Sequence, residues 1–276
     1  MCHSTLAIYC FIDDLLKSLE HTQDSRAEVT DAEVITIALV AMLYFGGNFE
    51  RSRLVLHELG LVKRLLSRSR LNRRLHRLAD LIGFIFHQFG TVIKDLNWES
   101  RYLLDSFPLA VCDNIRIKRC RIVRGEDYRG YQASKRRYFY GVRVQVITTA
   151  EGVPVEFCVL PGKFADIEGL SHLALELPAE AQLIADSAYT NYEWEDYLLE
   201  EEQINFLVQR KSNTRRVVEP NLEEYKKFFR KRIETAFGEL MKMFPKKIHV
   251  TSFKGLVLKI SLFLFAFQID KAIINN

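Results

Sequence analysis

The sequence predicts an α/β protein, a mixed sheet flanked by helices and preceded by an all-helical segment. Three observations predict it. Up to about residue 94 the apolar residues recur at helical spacing, and from Tyr102 they alternate or run without interruption. Between them and the carboxyl terminus, residues 182–189 form a short apolar run that ends in Asp186 and leads into a helix start. Such a run delivers one acid to the edge of a sheet, where open α/β sheets carry their chemistry.

At 276 residues the chain is long enough for two domains, each with its own core. We place the boundary at residue 98, giving a helical domain over 1–98 and a sheet domain over 99–276. With 48% hydrophobic and 27% charged residues, the composition is that of an ordinary globular protein. A net charge of +4 identifies no polyanion partner by itself, so the distribution of charge must be read instead. The five cysteines include no Cys-x-x-Cys pair, which excludes a zinc ribbon and a disulfide scaffold and points to a reducing, cytoplasmic compartment. Met1-Cys2-His3-Ser4 lacks a basic start and Asp13 and Asp14 interrupt the apolar run behind it, so no signal peptide is expected. Residues 256–274 carry Lys259, Gln268, Asp270 and Lys271, which suits a buried terminal helix and not a membrane span.

In chain order, an apolar period predicts a first helix over residues 6–19. Thr30 and Glu33 form a capping box for a second helix, and Gly46-Gly47-Asn48 stops it. A third helix covers 49–59 and ends at Gly60. Residues 61–78 read as an amphipathic helix with Leu71, Leu75 and Leu78 as its core stripe. Its other faces carry Arg68, Arg70, Arg73, Arg74 and Arg77 with Ser67, Ser69, Asn72 and His76 between them, a mixture suited to phosphate and base-edge contacts. Short-linked helices ending in this basic stretch predict a helix-turn-helix-like DNA-binding unit, against the alternative of a merely solvated face. A wholly buried helix over 80–94 closes the segment.

Residues 102–108 predict a short strand that ends in Asp105, with Pro108 barring a helix directly behind it. Arg116, Lys118, Arg119, Arg121, Arg124, Arg129, Lys135, Arg136 and Arg137 then alternate with Tyr128, Tyr131, Tyr138 and Tyr140, a composition that fits a nucleic-acid track or a soluble loop. Strands over 140–149 and 153–160 form a hairpin around Ala150-Glu151-Gly152, and a helix follows over 166–177. After Asp186, Thr190 and Glu193 predict a second capping box and a helix to Leu199. A last strand covers 204–208, and a basic loop with Lys211, Arg215 and Arg216 leads to a long helix over 222–243. The apolar tail should pack on the sheet.

The order strand with Asp105, two hairpin strands, helix, strand with Asp186, helix, strand and helix with Glu234 is the ribonuclease H-like arrangement. Its first and fourth strands are neighbours, so Asp105 and Asp186 would meet although 81 positions apart. Here the chain resembles the DDE transposases of bacterial insertion sequences, closest to family nine hundred and eighty-two, kin of the IS-four group. The resemblance rests on residues 104–108 with Val111-Cys112-Asp113-Asn114, on Ala185-Asp186-Ser187-Ala188-Tyr189, and on residues 230–237. It implies that Asp105, Asp186 and Glu234 are the three catalytic acids and metal ligands. It also implies that Arg230, four residues before Glu234, and Lys242 serve DNA phosphates. The Tyr and Lys positions of the wider group's signature fall on Lys227 and Met241, with Tyr225 and Lys242 displaced from them.

Three carboxylates suit Mg²⁺, or Mn²⁺ in its place, because hard ions take oxygen ligands. Two such ions serve an in-line attack on a phosphodiester, with Asp105 bridging them, Asp186 on one and Glu234 on the other. The resemblance further implies terminal inverted repeats and target DNA as partners, a homodimer on DNA, and residence at the nucleoid of a bacterium or archaeon. Asp113, Asp127 and Asp166 rival the two aspartates, and Glu239 lies about 140° around the helix from Glu234, so the two glutamates cannot face one site. The scattered histidines, His249 among them, lack metal spacing. Two other functions stay open: a domesticated, catalytically idle DNA-binding protein, and a structure-specific nuclease on the same fold.

Overall fold

The computed structural model describes residues 1–132, 135–210, 214, 216, 220–245 and 247–274. It divides into two compact units, Met1–Phe86 with Met243–Asn276, and His87–Lys242. Each is built around its own buried residues.

In the first unit α1 (Cys2–Ser18) precedes α2 (Asp31–Phe45), whose side chains are buried almost throughout. The Thr30 hydroxyl accepts from the Glu33 N–H at 3.1 Å while the Glu33 carboxylate accepts from the Thr30 N–H at 2.6 Å, so both halves of the expected capping box form. Gly46 and Gly47 stop the helix with φ of 54° and 79°, values that side chains with a Cβ resist. After α3 (Phe49–Glu58), α4 (Arg68–Arg77) starts at its cap Ser67, so the segment before it is not part of the expected longer helix. Leu71, Leu75 and Leu78 are buried as their spacing requires.

The terminal helix α8 (Phe253–Ile269) is buried along nearly its whole length. It was expected against the sheet, yet it packs in the helical unit. Lys259 Nζ donates to Gly47 O at 3.1 Å, Gln268 donates to Phe86 O at 3.3 Å, and the Phe86 and Phe265 rings meet edge to face. The domain extent drawn from sequence, 99–276, therefore differs from the compact units in where this helix falls. Helix α5 (Ala79–Leu96) is also not wholly buried, since Phe84, Val92 and Leu96 are exposed. Among the described residues no single helix is long and apolar enough to cross a membrane.

The second unit holds a six-stranded mixed sheet. Its strands are β1 (Arg101–Cys112), β2 (Arg129–Gln132), β3 (Arg137–Thr149), β4 (Pro154–Pro161), β5 (Gln182–Ala185) and β6 (Asn205–Val208). Order along the sheet is β2-β3-β1-β5-β6, with β4 following β2 along the outer edge of β3. β1 runs antiparallel to β3 and parallel to β5, and β5 runs parallel to β6. The expected hairpin is β3 and β4. β1, however, does not stop at Asp105 but continues through Pro108, which lies where β1 has β3 on one side and no β5 partner on the other, a setting that tolerates proline.

Helices α6 (Tyr192–Glu200) and α7 (Pro220–Met243) complete this unit. Phe229, Ile233, Phe237 and Leu240 are the buried stripe of α7, and Tyr225 donates to Gln182 Oε1 at the start of β5. Lys94 and Glu156, both almost fully buried, pair at 2.9 Å, with His87 Nδ1 2.8 Å from the other Glu156 oxygen. That network fastens the later turns of α5 to β4. The resulting mixed α/β architecture, with its helical N-terminal region, is consistent with a ribonuclease H-like fold.

Candidate active site

The parallel register sets the first step of the site. Leu104 on β1 is opposite Ala185 on β5, so the next residue along each strand is an acid, Asp105 and Asp186. Leu104, Leu183, Ile184 and Ala185 are buried, and this apolar stretch anchors Asp105 within β1 and Asp186 at the end of β5. Asp186 then turns the chain, its Oδ1 accepting from the Ala188 N–H at 2.7 Å. The following helix is capped by Asn191, whose Oδ1 accepts from Glu193 and Trp194. Thr190, expected as the cap, instead donates to Ser187 O at 3.0 Å. An Asn side chain serves as N-cap at least as well as Thr, so it wins by one position.

Around Asp105 lies a network that joins four segments. The Ser106 N–H donates to Asp105 Oδ1 at 2.7 Å, and the Ser106 hydroxyl donates to Asp166. Arg143 donates to Ser106 Oγ at 3.1 Å and to Asp166 Oδ1 at 2.8 Å. Gln145, fully buried, donates to the Asp166 carbonyl and to the Tyr189 hydroxyl, each at 3.1 Å. The helix expected over 166–177 does not form. Only a 3-10 turn, Ile167–His172, forms there, and the chain beyond it sends Leu173 into the core.

Burial raises the Asp105 carboxyl from the ordinary 3.8 to about 7, and the charges of Asp186 and Asp166 add to the rise against the Ser106 N–H and Arg143. Tyr189, fully buried, is held well above its ordinary value, first by burial and then by the nearby acids. Asp166 already has a guanidinium and a hydroxyl, whereas Asp105 and Asp186 stand beside each other as like charges. Two neighbouring carboxylates make an all-oxygen donor pair, the kind a hard divalent cation takes.

Glu234 has a different setting. It is 64% exposed and ion-paired with Arg230 at 3.1 Å, while Arg230 also donates to Gln209 Oε1 at 3.0 Å. Gln209 leaves the end of β6 and donates its N–H to Ala185 O, so Arg230 links Glu234 to the residue beside the strand that carries Asp186. Among the described residues no group of three His, Cys, Asp or Glu is arranged to hold a metal ion. The structure brings Asp105 near Asp186 and Asp166, and it pairs Glu234 with Arg230. Of the other rivals, Asp113 is exposed and Asp127 is exposed beside Lys163.

Arg68, Arg70, Arg73 and Arg77 are exposed on α4. Arg74 is not one of them: it turns inward and bonds Val29 O and Asp31, holding α4 to the start of α2. Arg116, Lys118, Lys135, Arg136, Arg137, Arg230 and Lys242 are all exposed. Lys118, Arg119, Arg121 and Arg124 line a cleft of about 570 Å³ with Tyr140 on its wall. Arg216 pairs with Asp196 and Glu195 and covers the Tyr192 ring, so it belongs to the packing of α6. Lys211 and Arg215 lie outside the described residues.

Sequence reasoning missed Arg143 and Gln145, quoted Tyr189 without giving it a role, and took Asp166 only as a rival. A signal for the first two was present: they alternate with Val142, Val144 and Val146, which puts two polar groups on one face of an apolar strand.

Residues 97–251 match the family described as the transposase DDE domain. No curated protein and no solved structure matches the chain. Members of that family generally use divalent metal ions and act on DNA, and the matched residues include β1 with Asp105, the turn at Asp186 and α7. The match covers more than half of the chain, and the protein belongs to the DDE transposases.

Proposed function

We propose that this transposase binds the terminal inverted repeats of its own element, hydrolyses a phosphodiester at each end, and transfers the freed 3′-hydroxyl to target DNA. The observation that carries the reading is the parallel pairing of β1 with β5, whose register leads each strand into an acid, Asp105 and Asp186, at the same level. Asp105, Asp186 and Glu234 would hold two magnesium ions, or manganese in their place. When bound, such ions activate the attacking oxygen and neutralise the leaving one.

The chain's own residues supply the rest. The Ser106 N–H fixes one Asp105 oxygen, and the Arg143–Asp166 pair holds Ser106 in place. Arg230 and Glu234 share a helical face at i and i+4, so a DNA phosphate that competes for Arg230 frees Glu234. Lys242 lies on the same helix as a second phosphate partner. Arg68, Arg70, Arg73 and Arg77 read the repeat, while Arg116, Lys118, Lys135, Arg136 and Arg137 hold flanking DNA. Two ends must be cut and joined together, which calls for a homodimer on DNA.

The ion pair between Glu234 and Arg230 favours one other reading, a domesticated DNA-binding protein without catalysis. One experiment separates them: the protein is incubated with Mn²⁺ and a labelled duplex ending in the repeat. Cleavage that Asp186→Ala or Asp105→Ala abolishes, with duplex binding retained, supports transposition chemistry. Binding without any cutting leaves the idle protein, and cutting of branched DNA regardless of sequence leaves a structure-specific nuclease.

A further inference from the structure

β2 is an edge strand, and its register with β3 sets Tyr131 opposite Tyr138. Cross-strand partners project from the same face. Their ring centroids are 5.0 Å apart with planes at 55°, and the residues are 46% and 61% exposed. Two large rings left beside each other in water form a surface that gains from being covered.

The charge beside them is mainly positive, with Glu126 paired to Arg129 and Asp127 beside Lys163. Lys135, Arg136 and Arg137 precede Tyr138 and are exposed, and residues 128–150 contain no Asp or Glu. Asn114 donates to Tyr138 O at 3.4 Å, which ties the 3-10 helix Asn114–Arg119, with exposed Arg116, Lys118 and Arg119, to the same end of β3. An aromatic pair between two cationic segments asks for a partner with flat apolar faces on an anionic backbone. A second copy of this face would set like charge against like.

We infer that the Tyr131–Tyr138 face is a stacking platform for unpaired DNA bases, with the flanking cations on their phosphates. In an intact duplex the base faces are stacked on one another, so these rings take bases from a single strand or a separated end. Stacking of this kind is tolerant of sequence, because every base has a π-face. The inference rests on the DNA-processing reading above and adds the strand-separated form of the substrate to it.

The test uses the full chain carrying Asp186→Asn, with metal chelated, so that binding is measured apart from cleavage. The probes are a short single strand containing 2-aminopurine and the same strand in a duplex. Contact with the rings should quench the 2-aminopurine fluorescence. Tyr131→Ala with Tyr138→Ala should weaken single-strand binding by about tenfold or more and duplex binding by less than about twofold. Phe at both positions should retain single-strand binding. Equal weakening of both DNA forms, an unchanged single-strand affinity, or Phe variants that fall as far as the Ala variants would each overturn the platform. A failure to cleave the repeat duplex with Asp186 intact would instead count against the catalytic reading alone.

Discussion

Asp105 sits where ionisation is opposed by burial and by two neighbouring acids, and this gives the metal-free protein a pH dependence of known sign. Its carboxyl ionises near 3.8 when unfolded and near 7 when folded. Between those values the folded chain keeps a proton that the unfolded chain has released, so stability falls as pH rises from about 4 to about 7 and levels off above. Urea midpoints at pH 5 and pH 8 should differ in that direction, and Asp105→Asn should shrink the difference. An unchanged slope in the variant would remove Asp105 as the cause. At the same scale, Asp166→Ala strands the half-buried Arg143 without its carboxylate and should cost about 2–4 kcal/mol in denaturant unfolding. The arginines of α4 divide likewise. Arg74→Ala should lower the melting temperature, since it breaks the pair with Asp31, whereas Arg73→Ala should leave it in place and reduce the salt dependence of duplex binding by about one ion. Neither split was legible in the sequence, where five arginines on one helix look alike.

Elements were legible in proportion to how local their causes are. The α2 start needs only Thr30 and Glu33, three residues apart, and both bonds form. Thr30→Ala should therefore cost about 1 kcal/mol, read as a shift in the urea midpoint. The core stripe of α4 and the hairpin β3–β4 follow from spacing in the same way. Other elements depart from their local pattern. The period over 166–177 suggests a helix, but the segment keeps only a 3-10 turn, with Asp166 ahead of it bonded to Arg143 on β3 and Ser106 on β1. β1 outruns its predicted length because β3 offers partners as far as Cys112.

Over the whole molecule the largest departure is the last helix. Its apolar run promised burial without naming a surface, and the fold gives it to the helical unit, where Leu256, Ile260, Phe263 and Phe265 are almost fully buried. At roughly 1.5–3 kcal/mol for each such side chain, its loss exceeds what a small helical unit can withstand. A chain ending at residue 252 should lose more helical circular dichroism than the removed residues account for, and residues 1–86 should become open to limited proteolysis. Protection unchanged from the full chain would show that α8 is dispensable to that unit.

By itself, the sequence determined the helical start, the change of period near residue 100, the acid at the end of β5 and the family membership, because caps, periodicity and short motifs are written within a few neighbouring residues. Only the tertiary structure decided that Asp105 has Asp166 and Arg143 nearby, that Glu234 pairs with Arg230, and that the final helix returns to the first unit. Those outcomes depend on which distant segments bury each other's apolar surface and neutralise each other's charge, and no local spacing encodes that choice.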